Sequence, residues 1–306
     1  MPGAYAHLSM VNDAKTFAEQ TGLQEETLYS LGVHLKFLEL GAVSPDYPYL
    51  ALKNGQAQWA DAMHYTSTAS LLRSGVETIA RLNGLARQKA TSWFLGLAAH
   101  VAMDMTIHPV IELRVGPYKG NENAHRRCEM HQDAFIFPHV MNVGDTGLSH
   151  HLRSGIAKCH ANGDEDKIDS TIENVWTQML QATYPDIGIP EPSIWHHGFR
   201  DVLAAVTEAN QLLPFARHVA AHLNLTYPAE KDIDSSYIKQ LRTPEGPMDY
   251  IDIYQRARCN VLAMWKGLDD ALAGHGLETL DLLEDWNLDT GRSVQTAKLV
   301  FWQEAA

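Results

Sequence analysis

The stretch LARQKATSWFLGLAAHVAMDMTIHP, Leu85 to Pro109, governs how the rest of the chain is read. From Leu85 to Ile107 it is apolar on nearly every side of a helix, which predicts a central, buried element that Pro109 brings to an end. His100, Asp104 and His108 interrupt its apolar second half. Spacing of i, i+4, i+8 sets all three along one helical face. Imidazole and carboxylate groups are costly to bury unless they are paired or bound to a metal. Taken alone, the pattern fits a closed core network as well as it fits a cation site.

Working outward, helical periodicity dominates. It predicts helices over about Asn12–Gln20, Glu26–Leu40, Gln56–Leu82, Ala124–Phe135, Lys167–Thr183, Phe199–Leu223 and Met248–Leu272. No succession of alternating apolar and polar runs marks half-buried strands. The expected fold class is all-α. Residues 1–228 are read as the catalytic unit and 229–306 as a helical extension packed on its core, starting where the chain becomes more polar.

Composition narrows the function. The formal net charge is −13, which gives no long-range attraction for a polynucleotide, although bound divalent cations reverse that locally. Cys128, Cys159 and Cys259 support neither a disulfide framework nor a thiolate zinc site. No apolar run is expected to reach bilayer length, because His100 and Asp104 break the richest one. The first ten residues lack the basic region of a secretory signal, so a cytoplasmic, leaderless protein is expected, with leaderless export as the alternative.

Sixteen histidines are many for 306 residues, and their grouping matters more than their number. His125-x-x-x-Glu129 repeats the pairing of imidazole and carboxylate on a helix, and Asp133 follows one turn later as a candidate outer partner for a ligand. The loop Ser44-Pro45-Asp46-Tyr47-Pro48-Tyr49 supplies another carboxylate, His64-Tyr65 follows it, and His7 lies near the start. In isolation the histidine–glutamate pair fits a surface helix, the Asp–Pro loop fits plain turn chemistry, and each lone histidine fits a structural role. Together these five histidines, two aspartates and one glutamate suit zinc, and so many donors imply more than one ion. His218-x-x-x-His222 lacks an adjacent carboxylate, and His150-His151 and His196-His197 are read as loop or surface residues. Trp195 and Phe199, beside the second pair, are candidates to border a pocket.

The order His7, Asp46-Tyr47, His64-Tyr65, His100-x-x-x-Asp104, His108-Pro109, His125-x-x-x-Glu129 resembles the bacterial zinc-dependent phospholipase C family. That superfamily takes in the single-strand-specific zinc nucleases and the N-terminal domain of glycosylphosphatidylinositol-specific phospholipase D. The resemblance implies a multi-helix fold with a metal cleft between several helices and two to three zinc ions per chain. Asp46, His64, His100 and Asp104 would form one site and His108, His125 and Glu129 a second. His7, Asp104 and the N-terminal backbone would form a third, with the terminal segment folded inward. Asp46 would also be the catalytic residue, and Tyr47 and Tyr65 would bind substrate. His108 stands four residues after Asp104, a spacing closer to the glycosylphosphatidylinositol enzyme than to the bacterial lipases.

The resemblance implies hydrolysis of a phospholipid to diacylglycerol and a phosphorylated headgroup, with transient contact at a membrane surface. The alternatives are a single-strand-specific zinc nuclease, against which the acidic charge weighs, and a non-catalytic, metal-bound helical protein of toxin-like or interaction type.

Overall fold

The computed structural model describes residues 3–51, 55–141, 155–212, 227–275 and 283–303. Within them the chain forms α1 (Ala4–Phe17), α2 (Glu25–Val33), α3 (Leu35–Val43), α4 (Ala57–Tyr65), α5 (Thr68–Ala80) and α6 (Gly84–Val115). Then follow α7 (Glu122–Met141), α8 (Ser170–Thr183), α9 (Pro192–Leu212) and α10 (Tyr250–Leu272). Three short antiparallel ribbons complete the described fold. They pair β1 (His160–Ala161) with β2 (Asp164–Ile168), β3 (Leu241–Thr243) with β4 (Gly246–Met248), and β5 (Trp286–Asn287) with β6 (Arg292–Ser293). The fold is all-α in class.

Helix α6 is the axis of the molecule. It is buried from Ala90 through Ile111, and α3 and α10 pack along it while α1, α2, α5, α7 and α8 also touch it. By length and apolar content α6 could cross a membrane, contrary to the sequence expectation. Its apolar window is wholly buried within the protein, as in the core helix of a globular protein. Pro109 does not end it either: the helix runs on to Val115 and stops at Gly116, whose φ is +92°. Pro109 cannot donate to the Met105 carbonyl, a loss that normally disfavours a helix interior. Here Gly291 packs into that position, where an added Cβ would lie 2.4 Å from Pro109 Cγ and 2.7 Å from Met105 O.

Two other expected helices are broken. The one predicted over Glu26–Leu40 divides at His34, with φ −112° and ψ 33°. The one predicted over Gln56–Leu82 divides at Thr66 and Ser67, the latter left-handed at φ 52°. The second break lets α4 turn its His64 end toward α6 while α5 packs against α8. Helix α1 starts at Ala4, a full two turns before the predicted Asn12.

Helix α3 crosses α6 closely through a pair of glycines. A Cβ on Gly96 would meet Leu38 O at 2.1 Å, and one on Gly41 would meet Trp93 O at 1.9 Å. The close crossing, with Trp93 Nε1 donating to Ser44 Oγ at 2.8 Å, fixes the turn Ser44–Leu50 beside the centre of α6. Residues after 229 join the same apolar cluster: Trp265 Nε1 donates to Leu95 O at 2.7 Å and Trp302 Nε1 to Thr106 O at 2.8 Å.

Candidate metal centre

Helix α6 presents His100, Asp104 and His108 in one row, all buried, as their spacing predicts. His100 Nε2 lies 3.2 Å from Asp104 Oδ2, and His108 Nε2 lies 4.0 Å from Asp104 Oδ1. Helix α1 adds His7, whose Nε2 is 3.3 Å from Asp104 Oδ1 and whose ring stacks on His100 with centroids 4.0 Å apart. The turn after α3 adds Asp46, its Oδ1 3.4 Å from His64 Nε2. From α4, His64 Nε2 approaches Asp104 Oδ2 at 4.0 Å. On α7, His125 Nδ1 faces Glu129 Oε1 at 4.0 Å.

The decisive feature is what these atoms lack. Nε2 of His7, His64, His100 and His108, Nδ1 of His125, Oδ1 of Asp46 and both oxygens of Asp104 are buried without a hydrogen-bond partner. Leaving a polar atom buried and unpaired costs ~1–3 kcal/mol. Eight such atoms around one helix face are tolerable if a cation takes up their lone pairs. Among the described residues two sets lie close enough for that, Asp46 with His64 and His100, and His7 with His100 and Asp104, each with donor atoms within 4.8 Å of one another. His100 offers one inward nitrogen and so serves one ion, whereas Asp104 has two oxygens and can face two. His108, His125 and Glu129 are looser than these two sets.

Electrostatics agree with a site built around Asp104. Burial works to raise its carboxyl, yet the His100 and His108 imidazoles hold it well below the ordinary range. Burial opposes a proton on His100, but Asp104 outweighs it and lifts His100 to about 9. His7 is lowered, first by burial and then by His100. Burial raises Glu129.

Several residues stand elsewhere than sequence reading suggested. Asp133 does not reach a ligand ring: it accepts from Tyr5 N at 3.3 Å and Ala6 N at 2.9 Å, holding the start of α1 one turn before His7. His196 is buried rather than on the surface, its Nδ1 3.2 Å from the Tyr47 hydroxyl, while His197 is exposed beside Asp166 and Asp201. Trp195 is buried and donates to Gln56, whereas Phe199 lines a cavity. Tyr65 donates to Asp289 Oδ2 at 2.8 Å, so its hydroxyl points at the C-terminal segment. His150, His151, His218, His222 and the first two residues lie outside the described residues.

Sequence reading missed Asp289, whose Oδ1 lies 3.8 Å from His108 Nδ1. The stretch Asn287-Leu288-Asp289-Thr290-Gly291 carries only a turn signal. The pocket expected beside Phe199 is a cavity of about 260 Å³ that borders Asp46 and is walled by Tyr5, Val43, Tyr47, Leu50, Phe199 and Leu203 among others, and Trp195 does not line it.

A family model described as zinc-dependent phospholipase C matches residues 6–185, more than half of the chain. No curated protein and no solved structure matches it. All eight unpaired atoms belong to side chains inside the matched stretch. The protein belongs to the zinc-dependent phospholipase C family.

Proposed function

We propose that the protein hydrolyses phospholipid to diacylglycerol and a phosphorylated headgroup, using two to three zinc ions held by His7, Asp46, His64, His100, Asp104, His108, His125 and Glu129. The convergence of unpaired buried donor atoms on Asp104 carries the metal part of this reading. Zinc supplies Lewis acidity for phosphoryl oxygens and lowers the pKa of water towards ~7.

The protein's own residues divide the remaining work. Asp46 is about a quarter exposed, whereas Asp104 is sealed. Burial works to raise the Asp46 carboxyl, but the His64, His100 and His7 imidazoles keep it low, so it is ionised at neutral pH and free to take a proton from an attacking water. Asp104 and the inward nitrogens hold geometry and balance charge. The cavity beside Asp46 supports a lipid substrate: its walls are mostly apolar and aromatic, and Tyr47 and Phe199 stack with centroids 5.4 Å apart. The described walls take up hydrocarbon and offer no cationic track for a polynucleotide backbone.

The test is a panel on zinc-loaded protein, with short-chain phosphatidylcholine, a chromogenic phosphodiester and single-stranded DNA. Lipid should be cleaved fastest. Faster cleavage of DNA turns the assignment to a nuclease, and no turnover of any of the three turns it to a non-catalytic metal protein.

A further inference from the structure

Four histidines of the metal centre share one arrangement. One ring nitrogen faces the centre without a partner and the other faces an oxygen acceptor, which in three of the four accepts a hydrogen bond and so fixes which nitrogen carries the proton. His64 Nδ1 donates to Ala60 O at 2.7 Å, His100 Nδ1 to Ala42 O at 2.9 Å, and His125 Nε2 to Gly116 O at 2.7 Å. The fourth is His108, and its outer nitrogen faces a carboxylate instead. Asp289 Oδ1 stands 3.8 Å from His108 Nδ1, while His108 Nε2 is buried, unpartnered and directed at Asp104. The distance exceeds a hydrogen bond, but such contacts are commonly long before the site is filled and shorten when it is.

Asp289 is held there from three sides. It lies in the turn joining β5 to β6, and its other oxygen accepts from the Tyr65 hydroxyl at 2.8 Å. The preceding residue, Leu288, donates its amide to the carbonyl of His64 at 2.8 Å. Gly291, left-handed at φ +65°, seats the turn against Met105 and Pro109, on either side of His108. A turn tied to two site histidines and to the carbonyl freed by Pro109 is more than a cover for apolar surface. It delivers one carboxylate to one ring.

We propose that Asp289 is the outer partner of His108. Its carboxylate accepts the Nδ1 proton in a hydrogen bond, which aims the unprotonated Nε2 at the metal and raises its basicity. Asp289 is a positioning residue, and the C-terminal segment is thereby part of the metal centre, although it lies beyond the residues that match the family. The proposal rests on the zinc reading of the site.

The test uses the full chain as wild type, Asp289→Ala, Asp289→Asn, Tyr65→Phe and, as a control in the same segment, Gln295→Ala. Zinc affinity is read by competition with a chromophoric chelator, ligand geometry by the visible spectrum of the cobalt-substituted protein, and fold by melting of the metal-free form. Asp289→Ala should weaken one zinc by ~10–100-fold and shift the cobalt bands. Asp289→Asn, which keeps a neutral acceptor, should fall between Ala and wild type. Tyr65→Phe should show a smaller loss of the same sign, and Gln295→Ala should keep wild-type affinity. Should Asp289→Ala fail to fold, the Asn variant decides. Wild-type affinity and cobalt spectrum in the folded Asp289 variants overturn the proposal even if their melting point drops. A wild-type protein that binds no zinc overturns the metal reading beneath it.

Discussion

Asp46 and Asp104 face the same histidines but meet different surroundings, and their amide variants should separate two roles. Asp104 is wholly buried between His7, His64, His100 and His108. Asp104→Asn removes the charge that offsets the cations, so zinc content and melting temperature should fall together. Asp46 lies at the open side, and Asp46→Asn keeps an oxygen donor while losing a proton acceptor. Its turnover should drop ~10²–10⁴-fold with most zinc retained, read by elemental analysis beside phosphodiesterase assay. A wild-type rate in Asp46→Asn would remove it from the chemistry. His196 yields a pH prediction at the same scale. Burial pushes its imidazole down to about 4, so the folded protein resists a proton that the unfolded chain accepts near 6.5. The linked stability is fully present above pH 6.5 and is lost as pH falls through the window from 6.5 to 4, by at most ~3 kcal/mol. His196→Asn keeps an atom for the Tyr47 hydroxyl and should flatten that part of the melting-temperature profile relative to wild type. Parallel profiles would show that His196 does not titrate in this way.

Among elements, the α3–α6 crossing transmits packing into site geometry. The carbonyl of Ala42 on α3 holds His100, and α3 can approach α6 that closely because Gly41 and Gly96 carry no side chains. In Gly96→Ala the new methyl would meet main-chain atoms of α3, which cannot rotate away as a side chain can. Destabilisation of ~1–3 kcal/mol is expected, with weakened zinc binding as Ala42 O leaves His100. Gly32 on α2 is the contrast: a Cβ there meets nothing within 4 Å. Gly32→Ala should be neutral or stabilise by ~0.5–1 kcal/mol, because it removes backbone freedom from the unfolded chain. Urea melts of the two variants, with and without zinc, check both halves. Equal stability in the pair would mean that the crossing tolerates a wider spacing.

For the whole molecule, the centre draws on α1, α4, α6, α7 and the turn after α3, so metal binding and folding should be coupled. Protein purified without chelator should hold two to three zinc ions, and stripping them should lower the melting temperature by several degrees or more. A site held at 100 times its Kd contributes ~2.7 kcal/mol. Retention of one ion or none, with activity intact, would remove the cluster. Ions bound there would partly offset the formal charge of −13 at the centre.

The amino-acid sequence by itself determined the buried central helix and the row His100, Asp104, His108, because residues four apart on a helix share a face wherever that helix is placed. It also determined the local pair His125 and Glu129 and the all-helical class, since these depend on short-range period and composition. The family resemblance grouped Asp46 with His64 and His7 with Asp104, but only the tertiary structure decided that His7 stacks on His100 and that His196 is buried beside Tyr47. It alone continued α6 through Pro109 with Gly291 set against the freed carbonyl, and brought Asp289 to His108. These are contacts between segments tens to hundreds of residues apart, closed by helix crossings and turns. Such closure leaves no periodic mark in the sequence, because the residues that meet are chosen by the shape of the core between them.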